Sequence, residues 1–115
     1  METTLKIATL SDLNSLIEFM REYYEYDNLT FEEDIARNAL KQILQDDSLG
    51  LVRLIYSQEK AIGYIILTLG YSLEYHGRDA FVDELYIRDN YRGYGIGTKA
   101  LQFVEDVCGS LGQIG

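Results

Sequence analysis

Around residue 50 the hydrophobic period of this chain changes, and that change limits the folds open to it. Upstream, Leu13, Leu16, Ile17, Met20 and Tyr24 recur at the spacing of one helix face, and Ala36, Ala39, Leu40, Ile43 and Leu44 do so again. Downstream, residues 51–56 and 61–69 are rich in β-branched and aromatic side chains, the composition of strands. The polar run Ser57-Gln58-Glu59-Lys60 between them predicts an antiparallel hairpin. A turn at His76-Gly77-Arg78-Asp79 precedes a further strand over residues 80–87. A third helix is predicted over roughly residues 96–111, with Ala100, Leu101, Val104, Cys108 and Leu111 inward and Gly109 or Gly112 placed to end it. With a short first strand over residues 5–10, the order is βααβββα. That is an α/β (α+β) fold, a mostly antiparallel sheet flanked by helices. Ser11 or Asp12 is placed to cap the first helix, and Thr30-x-x-Glu33 has the spacing of a capping box for the second.

Length and charge narrow the function classes. The 115 residues suffice for one domain, residues 1–115, and are too few for two. No apolar run approaches the roughly 20 residues that span a bilayer. Met1-Glu2-Thr3-Thr4 lacks the basic-then-apolar layout of a secretory leader. The single cysteine, Cys108, cannot build an internal disulfide or a zinc site alone and reads as a core residue, so a reducing, cytoplasmic setting is the default and no metal is implied. The formal charge is −9, of which −7 lies in residues 1–59 and −2 in residues 60–115. A nucleic-acid partner is disfavoured, because such proteins present a basic face to phosphates. A cationic small molecule is compatible with the acidic half.

The segment that carries chemistry runs from Leu85 to Thr98. Gly93, Gly95 and Gly97 alternate immediately before a helix, where a backbone without Cβ atoms turns sharply and approaches a ligand closely. The unpaired N–H groups of a helix's first turn face outward there, and the helix dipole favours an anion. Thr98 adds a hydroxyl and Arg92 a charge. A pyrophosphate cradle and a plain strand-to-helix turn both fit this spacing. A P-loop does not, because Gly97 is followed by Thr98-Lys99. A dinucleotide fingerprint does not either, because the third glycine comes one residue too soon.

Arg92-x-x-Gly95-x-Gly97, after a strand ending Glu84-Leu85-Tyr86-Ile87, resembles the signature of the GNAT superfamily of N-acetyltransferases, and the element order upstream resembles that family's over nearly the whole chain. The resemblance implies that acetyl-coenzyme A is the cosubstrate. It assigns the pyrophosphate to the amides of Gly93, Tyr94, Gly95, Ile96, Gly97 and Thr98, with Arg92 beside them. Around Tyr86, the backbone of Leu85 and Ile87 would pair with the pantetheine arm as an added strand, and an N–H near Leu85 would polarise the thioester carbonyl. Asp89 stands where many members carry proline. Strand alternation puts Asp83, Leu85 and Ile87 on one face and Glu84 and Tyr86 on the other. Asp83, at a position where polyamine acetyltransferases resemble it with a glutamate, is then the candidate base acting through a water, and Glu84 is the second candidate. An orienting or ion-pairing role for Asp83 fits the same position.

Other residues invite a reading. Glu22, Glu25, Asp27, Glu32, Glu33 and Asp34 interleave with Tyr23, Tyr24, Tyr26 and Phe31, where the resembled fold borders its acceptor pocket; acids and aromatics there suit an amine. Glu32, Glu33 and Asp34 also suit the first turn of a helix for dipole reasons alone. Residues 72–76 follow a long strand and could line the acceptor side. His76, the one histidine, reads as an exposed turn residue, and Tyr64 and Tyr86 read as sheet residues. The resemblance also implies a further strand, helix and terminal hairpin, including a tyrosine acid toward the departing thiolate, beyond residue 115. The chain is therefore expected to be C-terminally truncated or completed by a partner, and the sheet edge it exposes predicts a homo-oligomer. The expected activity is acetyl transfer to a primary amine, a small molecule or a protein lysine, by direct attack. The alternative is a catalytically silent fragment that folds, self-associates and binds coenzyme A without turnover.

Overall fold

A computed structural model describes residues 3–73 and 77–110. The elements are β1 (Thr3–Ile7), α1 (Leu13–Tyr26), α2 (Glu33–Gln45), β2 (Gly50–Ser57), β3 (Lys60–Ser72), β4 (Gly77–Ile87) and α3 (Ile96–Ser110), with single 3-10 turns at Leu10–Asp12 and Asp89–Tyr91. The four strands form one sheet in the order β1-β2-β3-β4, antiparallel throughout. This is the βααβββα order read from the sequence. Among the described residues no helix is long and apolar enough to cross a membrane.

The sheet is covered on both faces. Leu16, Ile17, Phe19 and Met20 of α1 and Leu40 of α2 pack on Val52, Leu54, Tyr64, Ile66 and Tyr86. On the other face Ala100 and Val107 of α3 pack on Ile65 and Leu67, while Ile96 packs on Ile55 and Ile62. Each such apolar side chain contributes about 1.5–3 kcal/mol when fully buried. The two helical layers differ in coverage. Leu40 is the one fully buried residue of α2 and Ile35 on the same helix is 64% exposed, so α2 stands partly off the sheet.

Several local expectations are corrected. β1 ends at Ile7 rather than residue 10, because a 3-10 turn starts at Leu10. The Asp12 carboxylate turns back to accept the Thr9 backbone N–H at 2.9 Å, so neither it nor Ser11 caps the first turn of α1. Thr30-x-x-Glu33 forms no capping box: α2 starts at Glu33 with Glu32 as its cap residue. The Glu33 carboxylate is instead held by Arg21 of α1 and by Arg37 one turn on. In α3, Leu101 is 56% exposed and Val107 takes the inward position, with Phe103 beside it. That helix runs past Gly109 to Ser110. β4 begins at Gly77, so residues 77–79 of the expected turn belong to the strand. His76, Leu111 and Gly112 lie outside the described residues, as do Glu74 and Tyr75.

Candidate active site

The β3–β4 register changes in the middle of β4. Ile66 lies opposite Glu84, but the next residue, Leu67, lies opposite Val82, which leaves Asp83 as an extra residue in a β-bulge. A bulge breaks the two-residue alternation, so Asp83 does not share a face with Leu85 and Ile87. It joins Glu84 on the side of α1 and α2, where both border a cavity of about 730 Å³ with Tyr24, Phe31 and the apolar side of α2. Asp83 is exposed at the rim and Glu84 is half-buried.

Glu84 is fixed from two sides. The Tyr24 hydroxyl donates to one carboxylate oxygen and the Tyr64 hydroxyl to the other, each at 2.7 Å. Burial, reinforced by this carboxylate, pushes both phenols well above the ordinary tyrosine range, so they remain donors. Tyr64, read from sequence as a sheet residue, therefore has a polar duty as well. Its partner lies twenty positions away, beyond the reach of any local pattern.

A second cluster lies beside this one, and it pairs Glu22 and Tyr86 with each other and with Arg88, which the sequence reading did not do. Glu22 of α1 accepts from the Tyr86 hydroxyl at 2.9 Å and from Arg88 through Nε at 3.1 Å and Nη2 at 2.8 Å. The paired Arg88 bonds hold the Glu22 carboxyl below its usual range, against the opposing effect of burial. Burial and the bond to Glu22 push the Tyr86 phenol up to about 12. Arg88 also lies 4.7 Å over the Phe19 ring. Opposite charge at residues 22 and 88 was the only available signal.

Among the described residues β4 is an edge strand. Arg88 donates its backbone N–H to Ile62 at 2.9 Å, and in an antiparallel ladder this turns Tyr86 and Glu84 toward β3 as well. The backbone groups of Leu85 and Ile87 therefore face the open edge, as expected for a strand that receives an extended partner. A smaller cavity, about 270 Å³, lies there between Tyr23 and Tyr26 of α1 and residues 85–87. Arg92 is not aimed at the glycine turn. Its Nε donates to the Ile87 carbonyl at 2.7 Å, Nη1 pairs with Asp89 at 2.7 Å, and the guanidinium lies 4.6 Å over the Tyr26 ring. The outward Ile87 carbonyl and the Asp89 charge draw it back, so it borders the small cavity instead.

The glycine turn is built from bare backbone. Gly93 and Gly95 have φ of 86° and 78°, the left-handed region that other residues enter at a cost. A Cβ placed on Gly93, Gly95 or Gly97 would meet nothing within 4 Å. The Ile96 side chain is buried against Ile55 and Ile62 and anchors the start of α3, while Tyr94 is 57% exposed. The Arg92 amide bonds to Asp89 and the Lys99 amide to Gly95. Between these two bonds, the amides of residues 93–98 meet no acceptor among the described residues. Such a row at a helix N-terminus has the donors, charge preference and open space that an anionic diphosphate requires. Among the described residues no group of three His, Cys, Asp or Glu side chains gathers as a metal site.

Comparison with known proteins places the chain in a family. The profile of the acetyltransferase (GNAT) family matches residues 13–114. Thialysine N-epsilon-acetyltransferase of Mus musculus is 27% identical over 120 residues, covering 92% of this chain and 67% of that protein. The bovine protein of the same name is 28% identical, with 90% and 66% covered, so the chain spans about two thirds of the length of these curated relatives. An integron cassette protein from the mobile metagenome of Cole Harbour Salt Marsh superposes with a TM-score of 0.90 at 38% identity, over 95% of this chain and 72% of that one. A "predicted acetyltransferase with acetyl-CoA" from Clostridium acetobutylicum shares the fold alone, with a TM-score of 0.79 at 13% identity over 95% and 75% of the two chains. The chain is a member of the GNAT acetyltransferase family.

Proposed function

We propose that the protein transfers the acetyl group of acetyl-coenzyme A to a primary amine by direct attack. The observation that carries this reading is the row of unpaired amides at residues 93–98, next to the open edge of β4. The amides and the α3 dipole hold the donor's pyrophosphate, and Leu85 and Ile87 pair with its pantetheine arm. The Leu85 N–H is placed to donate to the thioester oxygen as charge develops there. The acceptor enters from the α1 and α2 side, toward the two carboxylates in the bulge.

Asp83 takes a proton from the acceptor ammonium through a water, because of the two bulge carboxylates it is the one without a bonded partner among the described residues. Glu84, already bonded to two phenols, orients the amine. The freed lone pair attacks the thioester carbon, a tetrahedral oxyanion forms, and its collapse breaks the C–S bond. Coenzyme A leaves as a thiolate that takes up a proton. The curated relatives named for thialysine support an amine as the acceptor.

Calorimetry with coenzyme A and a thiol-release assay with an amine panel test this together. Binding with amine-dependent thiol release is the expected result. Absence of coenzyme A binding would overturn it. Because the chain spans about two thirds of its curated relatives, a silent coenzyme A-binding form is the second reading, marked by binding without thiol release. Self-association through β4 would compete with the pantetheine arm for one edge, so coenzyme A should shift sedimentation toward the monomer.

A further inference from the structure

The larger cavity has a polarity that discriminates between kinds of amine. Its volume, about 730 Å³, is in the range of small-molecule sites. One long wall is α2, where Ile35, Ala36, Ala39, Leu40 and Ile43 line it, with the uncharged Gln42 beside them. At 1.5 Å per residue, that apolar wall is about 12 Å long. Ile35 is 64% exposed and Leu49, at the far end, 43%, so both would lose water contact to an occupant. The charge is confined to the other end. Asp83 and Glu84 sit there in the bulge, with Glu32 at the start of α2. Register places Thr68 beyond Ile66, away from these acids.

Among the described residues, no Lys, Arg or His lines this cavity. Arg21 lies 5.6 Å from the Phe31 ring and is already paired with Glu33. An acceptor bearing a carboxylate would find no cation for it among the residues that line the cavity. A polyamine would leave its distal ammonium groups among Ile43 and Leu49. Both arrangements leave a charge against apolar side chains without a partner, which weakens binding.

We infer that the acceptor is a primary amine on an uncharged apolar body of several carbons, alkyl or arylalkyl, lying along α2 with its ammonium at Asp83 and Glu84. The inference rests on the acetyl-transfer reading for what becomes of the amine, but not for how the groove selects it.

Calorimetry on the chain, with n-alkylamines from butyl to octyl, spermidine and L-lysine as probes, tests it, alongside a separate coenzyme A titration. Affinity should rise about threefold per methylene until the groove is filled, somewhat under the full transfer value for one methylene. Spermidine and lysine should bind at least tenfold more weakly than octylamine. Ala39→Trp, at an exposed position on the wall, should abolish the length dependence and leave coenzyme A binding unchanged. Ile35→Lys, also exposed, should narrow the gap between lysine and octylamine. A flat alkyl series, a preference for spermidine or lysine, or an unaltered series in A39W would overturn the inference. Coenzyme A binding with a flat series overturns the groove assignment alone. A length-dependent series without coenzyme A binding overturns the transfer reading and upholds the groove.

Discussion

The bulge at residues 83–84 and the turn at residues 93–98 lie at the middle of β4 and beyond its end, and they are built on opposite plans. At the bulge, side chains have already found partners: Glu84 holds two phenols, and Glu22 beside it holds a phenol and a guanidinium. At the turn, six successive amides meet no acceptor among the described residues, on a backbone without side-chain bulk at Gly93, Gly95 and Gly97. The first region is organised by its own side chains, and on the acetyl-transfer reading the second is completed by the donor. Changes at the bulge should therefore disturb chemistry or fold, whereas changes at the turn should disturb donor binding while the fold persists.

The largest effect is expected at Asp83, the carboxylate of the bulge that has no bonded partner among the described residues. Asp83→Asn should lower kcat/KM by about 10²–10⁴-fold, the contribution of a general base, and change the form of the pH–rate profile. Coenzyme A affinity should stay unchanged, which separates the two regions in a single variant. An unchanged pH profile would take Asp83 out of the proton path. Tyr64→Phe comes next. Glu84 then keeps one of its two donors, and loss of a hydrogen bond to a charged, half-buried group costs about 1–3 kcal/mol. Urea unfolding should register that loss in the midpoint, with little change in coenzyme A affinity.

Two substitutions in the turn sharpen the contrast. Gly95→Val forces a β-branched residue to φ of 78°, a strain of about 1–2 kcal/mol, and fills the cradle. Gly97→Ala carries no positive-φ penalty and lies in the first turn of α3, where alanine is favoured by up to about 1 kcal/mol. Both should weaken coenzyme A binding at least tenfold, yet G97A should melt no lower than the parent. If G97A binds normally, the amides of that turn do not hold the donor.

The same contrast explains what the sequence could disclose. The turn is local: glycine spacing, a preceding apolar strand and a following helical period lie within about a dozen residues, and each constrains the backbone directly. The sheet order was legible for a similar reason, because hairpins join neighbouring segments. The bulge was not legible. Alternation assigns Asp83 to the face of Leu85, and only the slip between Ile66 and Leu67 moves it beside Glu84. The phenols of Tyr64 and Tyr86 find partners 20 and 64 positions away, and Arg92 turns back to a carbonyl whose outward direction depends on strand pairing. Thr30 and Glu33 show the reverse failure. Their spacing fits a capping box, but two arginines brought in by helix packing claim the glutamate.

The smallest effect is a pH dependence that belongs to the side-chain region alone. Glu22 has its pKa lowered from the ordinary 4.5 by the Arg88 bonds. Its contribution to stability is therefore complete above about pH 4.5 and is lost as pH falls through the lowered value. Tyr86 works in the opposite sense. With its pKa raised from 10 to about 12, its contribution is complete below pH 10 and is lost between pH 10 and 12. Glu22 and Arg88 are each about one third exposed, so salt should screen the acid limb and keep it small. Glu22→Gln should flatten the fall in thermal midpoint below pH 4.5 and lower the pH at which Tyr86 ionises, read by phenolate absorbance. An acid limb equally steep in both proteins would assign the loss of stability to other carboxylates. The amides of the glycine turn do not titrate in either window, so acid loss of coenzyme A binding in the folded protein would have to originate elsewhere.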